Sequence, residues 1–158
     1  MTTAPDFPRV HIATDHAGME LSAHLVGHLS AKGYDVVDHG PKVYDALDDY
    51  PSFCINAARA VVADQEAGTP ALGIVLGGSG NGEQIAANKV KGVRCALCWN
   101  VTTARLARQH NDANVLSLGE RMIGLEVARD VVRTFLATEF DGGRHARRVA
   151  QITEMDHA

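Results

Sequence analysis

The stretch ALGIVLGGSGNGEQIAAN, residues 71–88, indicates the fold of this protein. Residues 71–77 are apolar without alternation, which is typical of a strand buried on both faces of a sheet. The closely spaced glycines that follow predict a tight turn, and residues 83–90 predict a short helix. In this arrangement, successive backbone N–H groups form a concavity that holds negative charge.

The rest of the chain alternates between apolar runs and segments with helical spacing. Strands separated by helical crossovers imply a mostly parallel sheet covered on both sides. We therefore predict an α/β protein with a doubly wound, five-stranded parallel sheet of order 2-1-3-4-5 and a C-terminal helix. The predicted strands are 9–14, 34–40, 71–77, 93–99 and 115–119, and the predicted helices are 19–33, 52–68, 83–90, 101–111, 125–140 and 144–155.

This strand order also predicts where a ligand binds. In such sheets the ligand lies at the carboxyl ends of strands 1 and 3, where the strand order reverses. The loops at that point are TDHAG, residues 14–18, and GGSGNGE, residues 77–83. We therefore expect these two loops to be neighbours.

Length and composition limit the function classes. A chain of 158 residues suits one domain, over 1–158, and a net charge of -4 gives no general attraction for nucleic acid. No apolar run approaches the roughly 18 residues of a membrane span, and the first residues do not resemble a secretory signal. Three cysteines, an odd count, favour a reducing compartment. We expect a cytoplasmic protein with no nucleic-acid or membrane partner.

Three familiar glycine motifs nearly match this loop and fail. In a Walker A motif, Glu83 and Gln84 would stand where Lys and Ser or Thr are needed. Glu83 also replaces the last glycine of the dinucleotide motif G-x-G-x-x-G, and Asn81 replaces the last glycine of the nucleophile elbow. The pattern disfavours ATP hydrolysis, NAD binding and serine esterase chemistry.

A carboxylate beside an anion-binding loop suggests a different reaction. Removing a proton from carbon next to a carbonyl needs a base on one side and donors for the enediolate oxygen on the other. Glu83 and the N–H groups of residues 78–82 would supply both. The alternative is that Glu83 only stabilises a helix dipole.

A resemblance to a known family rests on five stretches, which are TDHAG (14–18), YDALDDYP (44–51), GGSGNGEQIAANKVKGVRCAL (77–97), ARQHNDANVLSLGER (107–121) and RHARR (144–148). Together they resemble ribose-5-phosphate isomerase B, in a family that also includes galactose-6-phosphate isomerase subunits. The resemblance implies a Rossmann-like αβα sandwich and a homodimer, or a dimer of dimers, with composite active sites. It further implies interconversion of ribose 5-phosphate and ribulose 5-phosphate through an enediolate, with no metal and no cofactor.

The resemblance also implies roles for single residues. Glu83 corresponds to the catalytic base, whereas other members use a cysteine at the end of strand 3, where this chain has Gly77. His110 corresponds to the acid that opens the furanose ring, and Ser79 to a residue near the reacting carbons. The remaining matches bind the sugar (Asp15, His16, Gly78, Gly80, Asn81, Gly82 and Asn111) or its phosphate (His16, Arg121, Arg144 and Arg148).

Several of these residues have simpler explanations. Arg144 and Arg148 are four apart, so on a helix they share one face and could hold a phosphate, or they could be a solvated basic tail. His110 could cap the carbonyls at the end of its helix. Asp15 could serve as a helix N-cap while the same turn presents His16.

Other signals are weaker. Cys95 and Cys98 are three apart on a predicted strand, so they point to opposite faces and suit neither a shared metal nor a disulfide. His24 and His28 read as solvated polar residues. The aspartates of residues 45–49 could suggest magnesium, but we interpret them as an active-site loop with Tyr44 and Asp45 near the substrate.

Three other functions stay open at this point. The chain could isomerise another aldose phosphate of four or six carbons. It could be a nucleotide- or flavin-binding module, because doubly wound sheets host many functions. It could also be an idle subunit of a hetero-oligomer, although the presence of both Glu83 and His110 argues against that.

Overall fold

The computed structural model describes residues 7–158, which form one five-stranded parallel sheet with helices on both faces. A 3-10 turn, His16–Gly18, precedes the first helix, and another, Met155–His157, follows the last. The strands are Arg9–Ala13 (β1), Val36–Asp38 (β2), Ala71–Gly77 (β3), Cys95–Leu97 (β4) and Val115–Gly119 (β5). The helices are Met19–Ala31 (α1), Tyr50–Glu66 (α2), Asn81–Ala87 (α3), Val101–Asn111 (α4), Leu125–Ala137 (α5) and Arg144–Glu154 (α6).

The predicted α/β class is confirmed, but the predicted order of the last two strands is wrong. The observed order is β2-β1-β3-β5-β4, so β5 lies between β3 and β4. All five residues of β5 are buried, whereas in β4 only Cys95 is buried. The strand that is apolar on both faces takes the inner position, and the short, half-covered strand takes the edge. β1 and β3 remain neighbours, so the predicted ligand position is unaffected.

Two apolar cores lie on the two faces of the sheet. One packs Ile12, Ile74 and Leu116 against the buried side chains of α1, α4 and α5, including Phe135. The other packs the opposite face against α2 and α3 and includes the fully buried Val61. Alternate residues of each inner strand therefore serve different cores, as expected for a sheet covered on both sides.

The helix ends follow local chemistry. α2 begins at Tyr50, two residues before the predicted start, because Pro51 is tolerated in the first helical turn, where its missing N–H is not needed. α4 begins with a capping box between Asn100 and Thr103. No helix among residues 7–158 has the length and hydropathy to cross a bilayer. A single domain over 1–158 stays a prediction.

Candidate active site

The glycine loop after β3 is fixed against the end of β5. Gly80 has φ +83°, which disfavours other residues, and a Cβ there would lie 2.9 Å from the backbone carbon of Leu118. The hydroxyl of Ser117 donates a hydrogen bond of 2.7 Å to the carbonyl of Gly80. The backbone N–H groups of Glu120 and Arg121 donate to the carbonyls of Gly77 and Gly78, respectively. The loop is therefore held rigidly at the carboxyl edge of the sheet.

Glu83 lies inside this loop rather than in solvent. It stands in the first turn of α3, and its side chain is buried, with 4% of the residue exposed. Its carboxylate fills the space beside Gly77, where any Cβ would overlap it. Tyr50 packs against Gly82 in the same way, so the ring closes the side of the loop. Glycine at both positions is what lets the acid and the aromatic ring approach the backbone.

Burial has the largest effect on the pKa of Glu83. Burial raises the pKa of Glu83, a hydrogen bond from its own backbone N–H lowers it, and the nearby Asp15 carboxylate raises it further. Together these effects place the pKa of Glu83 above the ordinary value of glutamate. This direction makes the carboxylate a stronger base than an ordinary glutamate, which suits general-base catalysis.

The DHAG turn after β1 forms the neighbouring wall. Asp15 is buried and accepts a hydrogen bond of 2.9 Å from the N–H of Ala17, so it is the N-cap of the short 3-10 turn. The Nδ1 atom of His16 lies 2.6 Å from Oδ1 of Asp48, and Asp48 raises the pKa of His16. The ring of Tyr44 stands edge-on to that of His16, with 6.0 Å between centroids.

The loop at 41–49 therefore lies against this turn through Asp48 and Tyr44, and its role as an active-site loop stays a prediction. Asp45 instead caps its own loop by accepting a hydrogen bond of 2.9 Å from the N–H of Leu47. Sequence reasoning missed Asp48, since nothing in the run DALDDYP distinguishes one aspartate from the next.

Arg121 completes this half of the site. It follows β5 and lies against the glycine loop, since a Cβ on Gly78 would be 3.1 Å from its Nη1 atom. Ser79 is exposed, and its hydroxyl accepts a hydrogen bond of 3.2 Å from the N–H of Asn81. The structure thus brings together most of the predicted site residues, namely Asp15, His16, Gly78, Ser79, Gly80, Asn81, Gly82, Glu83 and Arg121.

The other predicted residues form a second cluster. His110 lies in the last turn of α4, and its ring stacks on that of His145 in α6, with 4.2 Å between centroids and 9° between planes. Arg144 and Arg148 are exposed on the first two turns of α6. The sequence alone gives the stacking partner, His145, no role.

This second cluster lies at the opposite edge of the sheet from Glu83. β4 and β5 are parallel, so α4, which connects them, runs back from the carboxyl edge to the amino edge. The carbonyl of Asn111 accepts a hydrogen bond of 3.0 Å from Nε of Arg94, which directly precedes β4. An 11-residue helix is about 16 Å long, so one chain does not bring His110 to Glu83.

Two groups of side chains offer three possible metal-ligand atoms within 4.8 Å, namely Asp15, His16 and Asp48, and His110, Asp141 and His145. In the first group, Nδ1 of His16 is already hydrogen-bonded to Asp48. In the second, the histidine rings are nearly parallel, so their in-plane lone pairs do not converge on one point. Neither group is arranged as a ready metal site.

The weaker sequence signals are also settled. Cys95 packs in the core beside α2 and α3, and Cys98 in the core beside α1 and α5, as predicted for opposite faces. Burial raises the pKa of Cys98 to about 11, which leaves it a protonated core residue. His24 is not merely solvated, because it accepts a hydrogen bond of 2.8 Å from Nε of Arg129.

The fold and this edge define a class: α/β proteins with a buried acid beside an anion-binding glycine loop at the switch point of a parallel sheet. Within that class, the chain belongs to the ribose/galactose isomerase family, whose model matches residues 10–152. The predicted resemblance is thereby confirmed.

Individual relatives agree along nearly the whole chain. Ribose-5-phosphate isomerase B from Mycolicibacterium paratuberculosis is 50% identical over 149 residues, covering 94% of this chain and 91% of that protein. The Escherichia coli protein of the same name is 38% identical over 148 residues, covering 94% and 96%. The structure of ribose-5-phosphate isomerase B from Mycoplasma genitalium with bound ribulose-5-phosphate has a TM-score of 0.88 at 42% identity, covering 94% and 96%.

Proposed function

We propose that this protein interconverts ribose 5-phosphate and ribulose 5-phosphate by moving a proton between C2 and C1 of the open-chain sugar. The observation that carries the proposal is the buried carboxylate of Glu83, which lies directly beside Gly77 in a loop of backbone N–H groups. The names of the relatives support a five-carbon substrate, and the Mycoplasma genitalium structure holds the ketose product of this reaction.

The geometry supports a simple sequence of proton transfers. Glu83 removes the proton from C2 of the aldose. The electrons of that C–H bond form a double bond between C1 and C2, and the π electrons of the C1 carbonyl move to its oxygen, giving an enediolate. N–H groups of residues 78–82 stabilise the new negative charge. Glu83 then returns its proton to C1, and the proton of the C2 hydroxyl passes to the oxygen on C1, which leaves a carbonyl at C2 and yields the ketose. The raised pKa of Glu83 suits both steps, because one group must accept the proton and release it again.

The substrate phosphate would be held away from the reacting carbons. His16 and Arg121 flank the loop in the same chain, and a guanidinium can bind a phosphate through two N–H groups. Binding energy from this distant group aligns C1 and C2 with the base.

We propose that the active site is composite and that the protein is a homodimer or a dimer of dimers. The support is the separation of Glu83 from His110 in one chain, since ring opening and proton transfer must occur on one substrate molecule. A second chain would bring His110, Asn111, Arg144 and Arg148 to the loop of the first. His110 would then protonate the ring oxygen to open the furanose.

The first test is turnover of ribose 5-phosphate in EDTA by the wild type and by Glu83→Gln. The wild type should keep its activity, and the variant should lose on the order of 10³-fold in kcat. Activity that is lost on chelation, or retained by the variant, would refute the mechanism. A panel of four- to six-carbon aldose phosphates, compared by kcat/KM, tests the choice of sugar.

The composite site is tested by mixing two inactive variants, Glu83→Gln and His110→Ala, by unfolding and refolding them together. In a twofold dimer with composite sites, a 1:1 mixture should regain about a quarter of wild-type activity, because half the dimers are hybrids with one intact site of two. If each site lies within one chain, the mixture stays inactive.

We also propose that the protein is located in the cytoplasm, since the three cysteines are buried and unpaired.

A further inference from the structure

We propose that Asp48 is a positioning residue for phosphate binding, which holds the ring of His16 through Nδ1 so that Nε2 is kept for the phosphate. This inference rests on the proposed function, because it takes His16 as a phosphate ligand. The sequence gives Asp48 no role of its own among the acidic residues at 45–49.

Two contacts fix His16 to this carboxylate. Oδ1 of Asp48 lies 2.6 Å from Nδ1 of His16, and Oδ2 lies 3.1 Å from its backbone N atom. The carboxylate of Asp48 is 9% exposed, whereas the side chain of His16 is 26% exposed. Because both the backbone N–H and one ring nitrogen of His16 are held by the same carboxylate, the ring has little freedom to rotate. Within residues 7–158, no hydrogen-bond partner takes its Nε2 atom.

The charges around His16 show why the pairing matters. Asp48 approaches it from the loop, Asp15 lies 4.0 Å from Nδ1 on the turn, and Arg121 acts from the end of β5. Asp48 has the largest effect and raises the pKa of His16, Asp15 also raises it, and Arg121 and partial burial lower it. The exposed Tyr44 ring also lies beside the ring of His16, edge-on to it.

The hydrogen-bond direction links this pairing to phosphate binding. Because Nδ1 donates its proton to Asp48, the neutral ring carries a lone pair at Nε2, and only the charged ring can donate from Nε2 to a phosphate oxygen. A neutral His16 would therefore repel the phosphate that it should bind. Asp48 both sets the ring orientation and favours the protonated form that binds.

The experiment compares Asp48→Asn with the matched variant Asp49→Asn, since Asp49 is the next residue, is exposed and makes no side-chain cap bond. Two quantities are measured between about pH 6 and 8.5, where histidine titrates. They are the titration of His16, followed by NMR in protein with labelled histidine, and the kcat and KM for ribose 5-phosphate. In Asp48→Asn, His16 should titrate at lower pH, and KM near pH 7.5 should rise about tenfold with kcat within about twofold. Asp49→Asn should match the wild type.

Unchanged titration of His16 in Asp48→Asn, or a fall in kcat at constant KM, would overturn the inference. Asp48→Glu keeps the negative charge and should recover most of the wild-type titration and KM. Asp48→Glu also provides the test if Asp48→Asn fails to fold. A His16 titration that differs from the wild type in Asp48→Glu would equally contradict the pairing. If the wild type does not convert ribose 5-phosphate, the proposed function fails, while the NMR titration still decides whether Asp48 controls His16.

Discussion

Replacing Gly77 by alanine should displace the carboxylate of Glu83, the base in our proposed mechanism, without any change to Glu83 itself. The added Cβ would lie 2.7 Å from Oε2 of Glu83 and would overlap Oε1 and the carboxylate carbon. Ordinary contact begins near 3.4 Å, so Oε2 must retreat by about 0.7 Å and the rest of the carboxylate further. The backbone of Gly77 has no positive φ, so alanine brings no backbone strain of its own.

A displacement of about 1 Å in a reacting group can reduce the rate roughly 100-fold, and we expect that loss in kcat for Gly77→Ala. KM should change little, since the proposed phosphate ligands lie elsewhere. The assay is initial-rate conversion of ribose 5-phosphate with thermal unfolding of each variant measured in parallel. Gly27→Ala is the control, because it lies in α1 with nothing within 4 Å, and should keep kcat while gaining about 0.5–1 kcal/mol of stability.

A double-mutant cycle shows whether the effect passes through Glu83. If Gly77→Ala acts by moving this carboxylate, it should cost little further activity when Glu83 is already glutamine. A 100-fold loss in both backgrounds would mean that the methyl group harms some other feature of the loop. A kcat within about threefold of the wild type in the single variant would refute the placement of the base.

Substitutions of Glu83, His39 and Arg144 should each change one measurable property. Burial raises the pKa of Glu83, so the contribution of this side chain to stability is fully favourable at low pH and is lost as pH rises through the folded pKa. The Glu83→Gln variant should therefore have a higher Tm than the wild type at about pH 8 and no such advantage at about pH 4. Burial and His11 lower the pKa of His39, whose Nε2 shares one proton with Nδ1 of His11 at 2.9 Å, so His39→Gln should lose less Tm than the wild type between about pH 7 and 5. Arg144→Ala should raise KM about tenfold for ribose 5-phosphate, whereas Arg147→Ala, off that helix face, should leave it unchanged.

The number and type of elements could be predicted from the sequence because their signals are local. Apolar runs, helical spacing and the glycines that end segments place five strands and six helices within a few residues of their observed limits. The order of β4 and β5 could not be predicted in this way, since both runs look like strands and the crossover rules allow either arrangement. Burial decides it: β5 is covered on both faces, and β4 is not.

The same distinction between local signals and chain topology applies to the candidate site. Loops that follow adjacent parallel strands must meet, so the neighbourhood of His16 and Glu83 follows from topology alone. The position of His110 follows from topology too, but with the opposite result, because a crossover helix ends at the amino edge of its sheet. A sequence motif identifies residues by their type, whereas the direction of the parallel strands determines at which edge of the sheet each residue lies. In the mechanism that we propose, Glu83 and His110 act on one substrate from opposite edges of the sheet. The composite site of our proposal is therefore a consequence of strand direction, which the motifs themselves do not express.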